Sequence, residues 1–391
     1  VRALNFERTV SIALPILAST AYVVELSFVP LVLPSLQTEF GLTRAALAWI
    51  FNAYVAAVAI GVLVGGRLGD GIGPQRIFAM GVVLFVAGSI FVGMSDAQGA
   101  IIVGRVVQGF GGGLFSPVIP VLLARAAAPR PGRLLILWGS ISGLVAGLAP
   151  LAAHYFLGAF GWELVFYGLA GLALPALFSG FFMRIEGEAE SEPGHRVSLM
   201  AALRQPARVW SLYGYVFCNF GTIMLFIFLL PLSLDEAGYR TIDQAWIMLV
   251  FWAVFAAAGV VLRNAIDGQA IWWVLAASPV LVLGGYCVFL AALPSAWVVI
   301  AAALIGVGFA CGNATSTTLI LRYCIEGTSS MAASLDISIA RLGVAMVIAI
   351  AAPFELASVV GLVAALCLAT ALFAVAPSPL FHRKAAEVNS A

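Results

Sequence analysis

Four formally charged residues, Glu25, Arg105, Asp336 and Arg341, and one histidine, His154, fall inside long apolar stretches of this 391-residue chain. A charge at mid-bilayer costs at least about 2.5–3.5 kcal/mol, so such residues face a partner or water and mark ion and substrate routes. A carboxyl placed there can carry a proton, and a guanidinium beside it can set its charge state. Glu25, Arg105 and Asp336 are therefore candidates for proton coupling. Structural uses compete with that reading: Glu25 could serve only to pair a basic residue, and Arg105 to donate to backbone carbonyls. Asp336 and Arg341 are five residues apart, about 140° around a helix axis, so they do not face one partner. Arg341 is a candidate substrate contact. So is His154, although it lies near the outer end of its stretch, where a histidine costs little.

The stretches that hold these residues are membrane spans by composition. The chain is 63% hydrophobic and 9% charged, with a mean hydropathy of +1.08, against about 25% charged residues in soluble domains. Apolar runs of about 20 residues match the helical length that crosses a bilayer. They are continuous and lack period-2 alternation, which favours helices over a closed barrel. Twelve spans are expected, at 10–33, 46–65, 77–94, 99–124, 134–158, 162–183, 207–231, 245–263, 270–292, 297–321, 329–351 and 356–376. The first runs unbroken to Pro34, too long for a signal peptide.

Fifteen of the nineteen Lys and Arg residues fall on one side of this arrangement, and only Arg44 and Arg240 on the other. The excess of positive charge on cytoplasmic loops puts both termini in the cytoplasm. The five cysteines are scattered through the second half, which fits helix packing rather than a disulfide framework or a metal site. No nucleophile–base or metal-ligand spacing is visible, so neither enzymatic activity nor a cofactor is expected.

Residues 184–206 open the longest polar stretch and read as a cytoplasmic linker between two six-helix bundles, 1–183 and 207–391. An ungapped shift of 197 residues aligns the two halves. Pro34 falls on Pro231, Glu39 on Glu236, Trp49 on Trp246, Asp70-Gly71 on Asp267-Gly268, Gly88 on Gly285, Gly109 on Gly306 and Gly111 on Gly308. Parallel repeats of this kind are a transporter architecture.

The stretch "GGRLGDGIGPQRIF", 65–78, concentrates glycine, proline and charge between two spans and reads as a tight cytoplasmic turn. Gly66, Leu68, Asp70, Gly73 and Arg76 together resemble the signature loop between helices two and three of the major facilitator superfamily. Gly71 stands where that family usually has a basic residue. "RVVQGFGGG", from Arg105 to Gly113, is similar to the family's helix-four motif through Arg105, Gln108 and Gly109. Residues Glu25 to Thr43 resemble the helix-one pattern of the drug–proton antiporters, with Glu25 in place of the usual aspartate. The helix-five antiporter motif is altered: glycines recur at 139, 143 and 147 before Pro150, but Ala149 and Ala153-His154 replace glycines.

The resemblance implies an all-α membrane protein of twelve transmembrane helices in two pseudo-symmetric bundles. It also implies a latch, in which Asp70 meets the N-terminus of helix eleven, expected at 327–330. A carboxylate is favoured at a helix N-terminus by about 0.3–1 kcal/mol. Gly66, Gly73, Arg76, Gln108 and Gly109 join Asp70 as gate or motif residues. The family lines its cavity with helices one, four, seven and ten, which raises Asn219 and Asn313 as substrate contacts beside Tyr22, Asn52 and Tyr54. An apolar, aromatic cavity suits amphipathic organic compounds. The expected function is proton-coupled export of such compounds by alternating access, as a monomer in a bacterial inner membrane. The partners are a small organic substrate, protons and the lipid bilayer, with no nucleic acid. The alternative is proton symport that imports a metabolite or siderophore.

Overall fold

The computed structural model describes residues 2–127, 131–178, 204–268, 270–292, 296–326, 328–354 and 356–376. The expected linker, 184–206, lies almost wholly outside them. Among the described residues, twelve apolar helices follow one another: α1 (Arg2–Phe40), α2 (Arg44–Ile72), α3 (Pro74–Gly93), α4 (Gln98–Ala126, with one tighter turn at Ser116–Val118), α5 (Pro131–Phe160) and α6 (Glu163–Phe178); then α7 (Ala207–Glu236), α8 (Thr241–Asp267), α9 (Ile271–Ala292), α10 (Val298–Tyr323), α11 (Ser329–Ala351) and α12 (Leu356–Val375). Eleven are long and apolar enough to cross a bilayer; α6 is shorter within the described residues.

Several helices outrun the apolar spans. The tight turn expected within 65–78 is confined to one residue: α2 continues through Asp70 to Ile72, and the reversal into α3 is made at Gly73 alone, at φ 88°. That left-handed backbone is open to glycine at little cost. Pro74 then starts α3, where its missing N–H is not needed. The span Thr9–Phe40 is likewise longer than 10–33, and Glu25 lies at its middle. Helix α11 begins where expected, with Thr328 as its N-cap residue.

Contacts divide the chain into two compact units: 1–196 with 231–249, and 197–230 with 250–391. In the first, α2 and α3 both pack along α4, and α1 packs on α5 and α6. Glycines make the close approaches. A Cβ at Gly109 would come within 2.9 Å of the Tyr54 Cα, and one at Gly111 within 2.9 Å of the Leu84 carbonyl carbon. The packing of α4 therefore depends on bare backbone along two of its faces. Two ties pin helix ends in this unit. Trp162 Nε1 donates to Glu39 Oε2 at 2.6 Å. Arg44, the first residue of α2, pairs with Glu236, the last residue of α7.

In the second unit, α9 packs along α10 and α12. Its internal contacts repeat those of the first with the same 197-residue displacement. Gly109 meets Tyr54, and Gly306 meets Phe251. Gly111 meets Gly81 and Phe85, and Gly308 meets Ser278 and Val282. Gly88 meets Gln108, and Gly285 meets Ile305. The alignment of the halves thus extends from residue identities to the pairs that touch.

Candidate functional site

Helix α4 carries Arg105 and Gln108 one turn apart on the face that its glycines draw towards α2 and α3. Both are sealed, Arg105 at 1% exposure and Gln108 at 0%. Arg105 Nη1 donates to Glu25 Oε1 on α1 at 2.7 Å and to Gln108 Oε1 at 2.7 Å. Its Nε reaches the Ile50 carbonyl on α2 at 3.5 Å. Gln108 Nε2 donates to Ser89 Oγ on α3 at 2.9 Å, and Ser89 donates to the Phe85 carbonyl at 2.7 Å. One polar chain therefore runs from α1 through α4 to α3. The Tyr54 ring lies under the guanidinium, 4.2 Å from ring centre to Cζ, and the Phe166 ring at 5.8 Å.

A buried ion pair persists only when further hydrogen bonds satisfy its members, and removing one partner costs about 3–5 kcal/mol. Arg105 meets this condition and Glu25 does not. The guanidinium has the glutamine, the Ile50 carbonyl and the tyrosine face besides the carboxylate. Glu25, at 2% exposure, leaves its Oε2 without a hydrogen bond, and the Tyr54 hydroxyl beside it closes none of ordinary geometry. Protonation of Glu25 would thus break one contact of a guanidinium that keeps others. A carboxyl that can gain and lose a proton beside a cation held by independent partners is an arrangement suited to proton exchange.

The counterpart positions in the second unit carry no charge. Glu25, Ser89, Arg105 and Gln108 correspond to Thr222, Tyr286, Ala302 and Ile305. There Tyr286 donates to the Thr222 carbonyl at 2.7 Å, and its ring packs on Phe226, which also meets Phe251 and Phe289. The same frame holds an ion pair in one half and an aromatic cluster in the other.

The remaining candidates are dispersed. Tyr22 is half-buried, edge-on to Phe115 at 5.9 Å, and lies against Gly112. Asn52 is buried on α2. His154 is half-buried on α5, edge-on to Tyr155 at 5.3 Å, with its Nδ1 buried and free of hydrogen bonds. In the second unit, Asn219 is buried and accepts from Ser278 Oγ at 3.0 Å, while its Nδ2 has no partner. Asn313 and Arg341 are half-buried on α10 and α11. Asp336 is buried and accepts from Thr317 Oγ1 at 2.6 Å. Gly66 is half-buried and Arg76 exposed, whereas the Asp70 side chain lies outside the described residues. The glycines of the helix-five motif close no contact at Gly139 or Gly147, where a Cβ meets nothing within 4 Å.

Sequence reasoning missed Ser89, which ends the polar chain, and grouped Gln108 with the gate residues although it binds Arg105 directly. A serine in an apolar span gives no signal of its own. The spacing of Arg105 and Gln108, three residues apart on one helix face, could have linked them.

Among characterised proteins, the tetracenomycin C resistance and export protein of Streptomyces glaucescens is 30% identical over 240 residues, covering 59% of this chain and 44% of that protein. A multidrug resistance protein B homolog of Mycobacterium tuberculosis is 34% identical over 170 residues, 41% of this chain and 31% of that protein. The chain thus spans less than half the length of these relatives. A solved D-xylose–proton symporter shares the fold at TM-score 0.72 with 16% identity, over 96% of this chain and 98% of that one. Residues 16–348 match the Major Facilitator Superfamily profile; with two repeated helical units and the buried helix-four motif, the chain belongs to that superfamily.

Proposed function

We propose that this transporter exports amphipathic organic compounds in exchange for protons, with Glu25 as the proton carrier and Arg105 as the cation that sets its charge. The buried Glu25–Arg105 pair, with one glutamate oxygen left unpartnered, is the observation that carries the reading. A proton arriving from outside neutralises Glu25 and frees Arg105 from it; release to the cytoplasm restores the pair. Alternation between these two states is coupled to alternating access for the substrate. Tyr22, Asn52, Tyr54, Asn219, Asn313, His154 and Arg341 are assigned to the substrate route, and Asp70, with Gly66, Gly73, Arg76, Gln108 and Gly109, to the gate. The bundles 1–183 and 207–391, joined by 184–206, move as the two arms. Both termini lie in the cytoplasm of a bacterium, and the protein acts as a monomer in its inner membrane. Relatives named for resistance and export support the outward direction.

The decisive experiment reconstitutes the protein with a compound found by accumulation screening of cells that lack or overproduce it. One pH unit across the membrane corresponds to about 1.4 kcal/mol, about a tenfold gradient for a one-proton exchange. Wild-type protein should build such a gradient, collapsed by an uncoupler, and Glu25→Gln should leave the ratio at one. A Gln variant that still concentrates substrate removes Glu25 from the coupling role. Accumulation in the direction of the proton flow would establish symport instead.

A further inference from the structure

We propose that Asp336 is a second proton-binding site, on α11, which holds its proton against the hydroxyl of Thr317 independently of Glu25. The inference rests on the proton-coupled reading for its purpose but not for its test. Asp336 is 6% exposed and lies seven residues, about 10 Å, from the start of α11. Among the described residues its side chain makes one hydrogen bond, with Thr317 Oγ1 at 2.6 Å, and no ion pair.

The groups around it are weak partners for a charge. From α7, Tyr213 turns its hydroxyl to the Ala332 carbonyl at 3.1 Å, one turn before Asp336 on the same face. From α10, Thr317 faces it, and the Thr317 hydroxyl also reaches the Asn313 carbonyl. The cations on these two helices, Arg208 and Arg322, are exposed, and each is five residues from Tyr213 or Thr317 respectively. Arg341 on α11 itself points about 140° away.

A carboxylate removed from water needs a cation or several donors. Glu25 has the cation, whereas among the described residues Asp336 has a single hydroxyl, which accepts as readily as it donates. Glu25 is thus paired with a cation, whereas burial of Asp336 beside a hydroxyl partner favours its protonated form.

Infrared spectroscopy of the full chain in lipid nanodiscs, without substrate, tests this directly. Wild-type protein at neutral pH should show the C=O stretch of a protonated carboxyl that disappears as pH is raised. Asp336→Asn should remove that band, and Glu25→Gln should leave it. Thr317→Val should shift its frequency upward without removing it. If Asp336→Asn fails to fold, Asp336→Glu replaces it and should move the band. A wild-type protein without the band at neutral pH overturns the proposal. So does a band unchanged by either Asp336 substitution, or one lost in Glu25→Gln. Failure of the export reading would appear as absent proton-driven efflux, with the band still present.

Discussion

Arg105 joins three helices through one guanidinium, and its substitutions separate charge from geometry. Arg105→Ala strands Glu25 in a sealed site without its cation. Breaking a buried pair from one side should lower stability by about 3–5 kcal/mol, read as a fall in thermal midpoint in detergent. Arg105→Lys keeps the charge but is a compact ammonium without the planar fork that reaches Glu25, Gln108 and the Ile50 carbonyl together. It should fold, with proton coupling reduced but not lost. Gln108→Leu removes one acceptor from the guanidinium and one donor from Ser89. Ser89 still donates to the Phe85 carbonyl, so a cost of about 1–3 kcal/mol, for the unsatisfied arginine hydrogen, is expected in the same melt. Glu25 and Arg105 were legible because charge is rare in an apolar span. Ser89 was not, because a hydroxyl can bond back to its own helix and leave no mark in the sequence.

Helix packing divides the glycines into two groups that look alike in sequence. Gly109 lies against the α2 backbone, so Gly109→Ala should drive α2 and α4 apart and abolish folded protein. Gly147→Ala on α5, where no atom waits for the added methyl, should express and melt like wild type. Size-exclusion profiles of the two variants side by side check the contrast. The start of α11 shows a second element-scale effect. Gln205, just before α7, donates to Thr328 Oγ1 at 2.8 Å and accepts from the Ile325 N–H at 3.0 Å. This clamp shapes the helix N-terminus that the proposed Asp70 latch would engage. Gln205→Ala should raise protease sensitivity between α10 and α11, with the ion pair at Glu25 untouched.

For the molecule as a whole, orientation in the bilayer is the property open to direct test. Arg240 lies between α7 and α8, and Arg263 near the other end of α8; both are exposed. In a background without the five native cysteines, Arg240→Cys should react with a membrane-impermeant maleimide from outside intact cells. Arg263→Cys should react only after permeabilisation. The reverse pattern would invert the proposed topology. The Arg44–Glu236 tie between helix ends is solvent-accessible, and such pairs contribute about 0–1 kcal/mol and weaken with salt. Arg44→Ala should therefore change the thermal midpoint little at high ionic strength.

The sequence by itself determined the solvent, the class of fold and the duplication. Hydrophobic run length, the asymmetry of arginine and a repeated glycine pattern are one-dimensional, and each follows from what a bilayer demands of a helix. It also determined that Glu25, Arg105 and Asp336 needed partners, because an apolar medium leaves a charge no alternative. Which partners they took was decided by tertiary structure. The α4 glycines let α2 and α3 approach until Arg105 reached Glu25, Gln108 and the Tyr54 face at once, while Asp336, among the described residues, hydrogen-bonds to Thr317. The same frame buried Tyr286 and Phe226 in the second unit where the first keeps its ion pair. Those outcomes depend on which helix faces converge, and convergence is set by packing between segments 55 or 80 residues apart, which no local pattern records.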